Sequence, residues 1–267
     1  EEARPLAGGQ SLLPLMKLQV ANPQVLVDVG RLNALEYLRQ EEGHLRIGAL
    51  ARHVQMEQEP WPPGLAILRD AAREIADVQV RNWGTMGGSL AEADPAGDWT
   101  PVMLALNASF RCRSQGQERL VEATQFTTDS YTTVLAPDEL LTEVVAPLPG
   151  DSTTGAYLKL ERKAGDFATA SVAVQIFWNE ESGCQEAGIG LGGVGPTAIK
   201  ATEAEDFLAG KALEERVLEE ASKLVMEATS PFSDLRGSDE YKREMAGSFT
   251  YDMTEDDAIL AELERRG

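Results

Sequence analysis

Two glycine-rich segments hold the residues best able to do chemistry in this chain: Ala7-Gly8-Gly9-Gln10-Ser11 and Gly84-Thr85-Met86-Gly87-Gly88-Ser89. Glycine pairs let a backbone turn tightly and come close to a ligand. Successive N–H groups then converge on one concavity that suits an anion, and a helix start behind the loop adds a favourable dipole. Neutral amides do this without Lys or Arg, and Ser11, Thr85 and Ser89 add hydroxyls. The chemistry would be a pyrophosphate cradle built from two separated loops. Taken alone, each segment is better explained as a tight turn.

Three further segments invite comparison. Gly190-Leu-Gly192-Gly-Val-Gly195 satisfies G-x-G-x-x-G. However, the strand before it is weak, and Pro196 interrupts the helix that a dinucleotide fold requires. A strand end and turn is the better reading. In Asp94-Pro-Ala-Gly-Asp98, Asp94 suits an Asx turn and Asp98 a helix cap. A carboxylate beside a nucleotide site could also accept from ribose or ribityl hydroxyls. Arg162-Lys-Ala-Gly-Asp166-Phe167 joins two strands as a charged turn whose aromatic could cover a flat ring.

Other chemistries lack residues. The only histidines are His44 and His53, and both sit in ordinary strand or helix settings. Cys112 and Cys184 have no metal-ligand spacing. There is no Ser–His–Asp or Cys–His arrangement. An iron–sulfur cluster needs four ligands, mostly thiolates, so none is expected on this chain. Two sparse cysteines suit a reducing cytoplasm.

The positioning elements follow from periodicity. Strands are expected at 25–29, 35–38, 45–48 and 140–145, and a hairpin pair at 108–113 and 118–121. Helical patterns cover 11–18, 65–75 and 98–106, with a short helix after Ala49. Residues 147–155, with two prolines and two glycines, form the expected domain boundary. Beyond it come strands at 156–162, 171–178 and 185–191, then helices at 204–208, 213–228 and 238–245, and one more at 256–265. The chain of 267 residues reads as α+β. A first domain spans 1–150, with subdomains about 1–55 and 56–150; the second spans 151–267. The 44 acidic against 24 basic residues give a net charge of −20, which disfavours nucleic acid and anionic lipid. No apolar run reaches the length of a membrane span.

The combination is more specific than its parts. The segments 7–18, Asp28-Val-Gly-Arg-Leu and 81–98 resemble, in order, the FAD-binding medium subunit of molybdenum hydroxylases. So do Pro137-Asp-Glu-Leu-Leu-Thr-Glu, Arg162-Lys-Ala-Gly-Asp-Phe-Ala, Leu191-Gly-Gly-Val-Gly-Pro-Thr and Asp234-Leu-Arg-Gly-Ser. The likeness covers nearly the whole chain and is greatest to the aerobic carbon monoxide dehydrogenase branch. It implies an FAD-binding fold of the vanillyl-alcohol oxidase/p-cresol methylhydroxylase type. Two subdomains hold FAD, and a C-terminal three-stranded antiparallel sheet with helices closes over it. Relatives carry a further strand–helix stretch before the first glycine loop, so part of the first subdomain is expected to be missing here.

Carried over residue by residue, the resemblance gives Ala7, Gly8, Gly9, Gln10 and Ser11, with Thr85, Met86, Gly87, Gly88 and Ser89, to the FAD pyrophosphate. Gln10 departs from the His, Thr or Asn common there. Asp98 would bind flavin hydroxyls, and the turn of Asp166 and Phe167 would approach the isoalloxazine, with Lys159 nearby. Phe167 stands where some relatives have Tyr or an aliphatic residue. The implied partners are a small subunit with two 2Fe–2S clusters, a molybdopterin large subunit and an external acceptor, quinone or NAD. A stand-alone flavin oxidase and a flavin-free scaffold are the rival expectations.

Overall fold

The structure is a computed structural model that describes residues 3–179 and 183–255; the helix expected at 256–265 lies outside them. The chain opens with β1 (Ala3–Leu6), α1 (Leu12–Lys17) and β2 (Val25–Asp28). β1 and β2 pair in parallel, Ala3 opposite Val25, and put α1 between them as the crossover. Gly9, with φ +72, makes the turn into α1.

A five-stranded antiparallel sheet forms the middle of the molecule. It contains β3 (Leu38–Glu41), β4 (His44–Gly48), β5 (Ser109–Ser114), β6 (Gln117–Glu122) and β9 (Leu140–Pro147), in the order β3-β4-β9-β5-β6. Thus β9 inserts between two hairpins that precede it in the chain. The strand expected at 35–38 starts only at Leu38. Asn33–Leu35 is instead a turn of 3₁₀ helix. Its backbone bonds explain the difference: Leu35 N–H donates to Leu32, and its carbonyl accepts from Leu50.

Between the hairpins run α2 (His53–Gln58), α3 (Ala66–Glu74), α4 (Val78–Trp83), α5 (Met86–Glu92) and α6 (Trp99–Ala105). Periodicity left residues 78–83 unassigned, and they form α4. Local bonds set the helix: Asp77 caps it by accepting from Val80 N–H at 2.9 Å. Arg81 ties the helix down through Glu57 at 2.9 Å and the Ile75 carbonyl at 3.0 Å. Met86, Leu90, Trp99, Met103, Ile67 and Leu68 bury against the sheet in one continuous core. After β6, α7 (Ala123–Phe126) leads to a small ribbon of β7 (Thr127–Asp129) and β8 (Thr132–Thr133).

The remaining chain builds a second sheet, β10 (Thr153–Leu160), β11 (Ala170–Asn179), β12 (Gly183–Gly192) and β13 (Ile199–Lys200), antiparallel and in sequence order. Three strands were expected; β13 adds a short fourth. Helices α8 (Thr202–Leu208), α9 (Glu215–Ala228) and α10 (Asp239–Glu255) bury Leu208, Ala221, Val225 and Ala246 against one face. The other face meets α6. There the helix backbone lies directly on β12, because a Cβ on Gly188 or Gly190 would strike the carbonyls of Ala105 and Pro101. The G-x-G-x-x-G match is therefore a helix–sheet contact followed by a turn at Gly193, φ +74.

Candidate functional site

The first glycine loop presents backbone donors. Among the described residues, no acceptor pairs with the N–H groups of Gly9, Gln10, Ser11 or Leu12, which run from the loop through the N-cap Ser11 into the first residue of α1. Gln10 folds back, donating from its side-chain amide to the Gly8 carbonyl at 3.0 Å.

The second loop reads differently in space. Thr85 is the N-cap of α5, and Met86, Gly87, Gly88 and Ser89 already belong to its first turn. Their amides are engaged within the protein. Met86 and Gly87 donate to the carbonyls of Ala51 (2.9 Å) and Ala49 (2.8 Å), and Ser89 to Thr85 at 3.0 Å. Gly88 N–H donates to the Thr85 hydroxyl at 3.2 Å. Gly87 must be glycine to pack, since its Cβ would lie 2.5 Å from that of Ala49. Gly88, by contrast, is exposed.

The two loops meet. A Cβ on Gly8 would run into the Trp83 carbonyl oxygen, and one on Gly88 would reach to 4.0 Å from Ala7 Cβ. The sequence reading combined these two loops in one cradle but did not name the residues behind them. Arg52 donates to the Trp83 carbonyl. His53 packs under Gly84, whose Cβ would lie 2.5 Å from His53 Nε2. Trp99 Nε1 donates to His53 Nδ1 at 3.0 Å, so Nε2 carries the proton of the neutral ring. Burial, helped by Arg52 and Arg81, lowers His53 to about 4 and keeps it neutral.

Asp94 forms the expected Asx turn, accepting from Ala96 N–H at 2.9 Å. Asp98 opens α6 but makes no side-chain cap. Instead it turns inward, where its Oδ1 accepts from Tyr157 OH at 2.7 Å and lies 3.1 Å from Lys159 Nζ. Burial raises Asp98 to about 6 against the pull of Lys159 and Tyr157. The Lys159 side chain is itself fully buried. Asp166 and Phe167 lie on the turn between β10 and β11, with Asp166 Oδ1 accepting from Phe167 N–H at 2.9 Å. Phe167 is 48% exposed, with the Arg236 guanidinium 5.9 Å from its ring centre.

The cradle fits an anionic group on its own terms. Loop amides without protein acceptors, leading into α1, lie beside an exposed glycine, and bulk is excluded where the loops touch. Among the described residues, no helix is long and apolar enough to cross a membrane.

Comparison with known proteins agrees with this geometry. Residues 1–149 match the FAD binding domain in molybdopterin dehydrogenase, and residues 155–256 match the CO dehydrogenase flavoprotein C-terminal domain. The chain is 39% identical to the carbon monoxide dehydrogenase medium chain of Afipia carboxidovorans, over 92% of this chain and 86% of that one. It is 37% identical to the glyceraldehyde dehydrogenase medium chain of Sulfolobus acidocaldarius, over 94% of this chain and 89% of the relative. A crystal structure of Cu,Mo-CO dehydrogenase in its cyanide-inactivated form superposes with a TM-score of 0.92 at 38% identity, covering 96% of this chain and 89% of that one. The chain thus has the flavin fold that the resemblance implied. It belongs to the FAD-binding medium subunits of the molybdenum hydroxylases, an oxidoreductase family.

Proposed function

We propose that this chain is the electron-transfer subunit of its complex, taking electrons from 2Fe–2S clusters on a small subunit and passing them to an external acceptor, quinone or NAD. FAD, when bound, supplies the redox chemistry. The chain's own residues bind and orient. Ala7 to Ser11 offer amides to the pyrophosphate, and Thr85 to Ser89 wall the other side with hydroxyls and the bare backbone of Gly88. Asp166 and Phe167 approach the ring from the β10–β11 turn, while Asp98 and Lys159 support it from inside the fold. The division of labour follows domains of 1–150 and 151–267. The observation that carries the reading is the contact of Gly8 with Trp83 and Gly84, which turns two glycine motifs distant in sequence into one cradle.

No residue of this chain is assigned to substrate chemistry, which the proposal leaves to a molybdopterin large subunit. Both cysteines are free and buried, which suits a reducing compartment, and we assign the protein to the cytoplasm. The test is rapid mixing of the assembled complex with its reductant. Cluster absorbance should bleach first and flavin absorbance follow. Reduced clusters beside a flavin that stays oxidised would overturn the electron-transfer role.

A further inference from the structure

The Lys159 side chain is fully buried, yet it faces two carboxylates. Its ammonium donates to the Glu74 carbonyl at 2.6 Å. It also makes ion-pair contacts with Asp98 Oδ1 at 3.1 Å and Glu161 Oε2 at 3.2 Å. The Glu161 contact is an ion pair without a hydrogen bond, so charge rather than geometry ties Glu161 Oε2 to the ammonium. Each carboxylate in turn holds something else. Asp98 stands at the start of α6, directly after the Asp94 turn, and its Oδ1 accepts from Tyr157 OH. Glu161 Oε1 accepts from Gly165 N–H at 2.9 Å, inside the turn that carries Asp166 and Phe167. Gly165 has φ +83 and packs so closely that a Cβ there would lie 2.5 Å from the Ala76 carbonyl.

We infer that Lys159 is a positioning residue: through Asp98 and Glu161 it fixes the Gly165–Phe167 turn against the segment that follows the second glycine loop. This rests on the proposed flavin site, whose two sides it would hold at a set separation. A buried cation between two carboxylates suits such a tie. Without it, Asp98 and Glu161 face each other unscreened and must separate or take up a proton. Separation moves Glu161, and with it the only side-chain acceptor on the Gly165 amide among the described residues. Lys159 need not touch the cofactor to act in this way.

The test compares Lys159→Met, Glu161→Ala and the double variant in the full chain. FAD is the probe, and three quantities are read: the Kd from flavin fluorescence, the visible circular dichroism of bound flavin, and amide exchange at residues 163–167. Each single variant should bind FAD about tenfold more weakly, the scale of a modest coupling free energy. Flavin dichroism should change and the turn should exchange faster. Because Lys159 acts through Glu161, the double variant should be no worse than Lys159→Met. If Lys159→Met fails to fold, Glu161→Ala decides, because that side chain lies nearer the surface, 14% exposed. Lower melting temperatures with unchanged Kd and dichroism would reduce Lys159 to a packing role and overturn the proposal, as would additive losses in the double variant. A wild-type chain that binds no FAD would instead overturn the flavin site itself.

Discussion

Gly88 and Gly87 are adjacent but do different work. Gly87 is needed for packing against Ala49, whereas Gly88 is exposed and its Cβ would meet the Thr85 hydroxyl at 2.7 Å, with Ala7 Cβ at 4.0 Å across the cradle. Gly88→Asp should disturb the Thr85 cap of α5, at a cost of about 1 kcal/mol, and place a carboxylate where the pyrophosphate belongs. The purified variant should be folded but colourless, with a modestly lower melting temperature; retention of full flavin would remove the second loop from the site. His53 offers a different residue-scale test. Its folded value near 4 lies below its ordinary 6.5, so the unfolded chain binds more protons between those values. Stability from this residue is full above pH 6.5 and drains away as pH falls toward 4, by about 3 kcal/mol in all. Asp98, raised to about 6 from 3.8, contributes the opposite slope, with stability falling as pH rises through that window. The clean measurement is thus the melting-temperature difference between wild type and His53→Gln at pH 7.5 and pH 5. The wild-type advantage should shrink at the lower pH, and a pH-independent difference would contradict the assignment.

At the scale of elements, glycine decides how closely layers approach. α6 sits backbone-to-backbone on β12 because Gly188 and Gly190 present no side chain to it. Gly190→Ala should push the helix outward and cost about 3 kcal/mol, read as a shift in chemical denaturation midpoint with nucleotide affinity unaffected. Much of this level was legible in the sequence. The strands around residues 45–48, 140–147, 153–160, 170–179 and 183–192 and the helix over 66–74 follow from alternation and helical spacing. What was not legible was set by capping or by distance. α4 owes its form to Asp77 and Arg81, not to the β-branched residues it contains. Asp98 looked like a cap, and only its inward partners, Tyr157 and Lys159, explain why it is not one. Such pairs come from separate strands and helices, and no local pattern in the chain encodes them.

For the molecule as a whole, two hydrophobic cores share one boundary, at which α6 and β12 touch. The proposed flavin site draws on both sides of that boundary. Motif order made the family readable from the chain alone, since seven short matches in sequence constrain far more than any one of them. The sheet order β3-β4-β9-β5-β6 carries a consequence for synthesis. During translation the β3–β4 and β5–β6 hairpins emerge with raw inner edges that cannot join each other, because the strand between them is made last. Until the ribosome has released residue 147, the sheet remains two unconnected ribbons, and each exposes a pairing edge to any other chain nearby. The nascent protein is most prone to aggregate in that interval, and the arrival of a single eight-residue strand ends it.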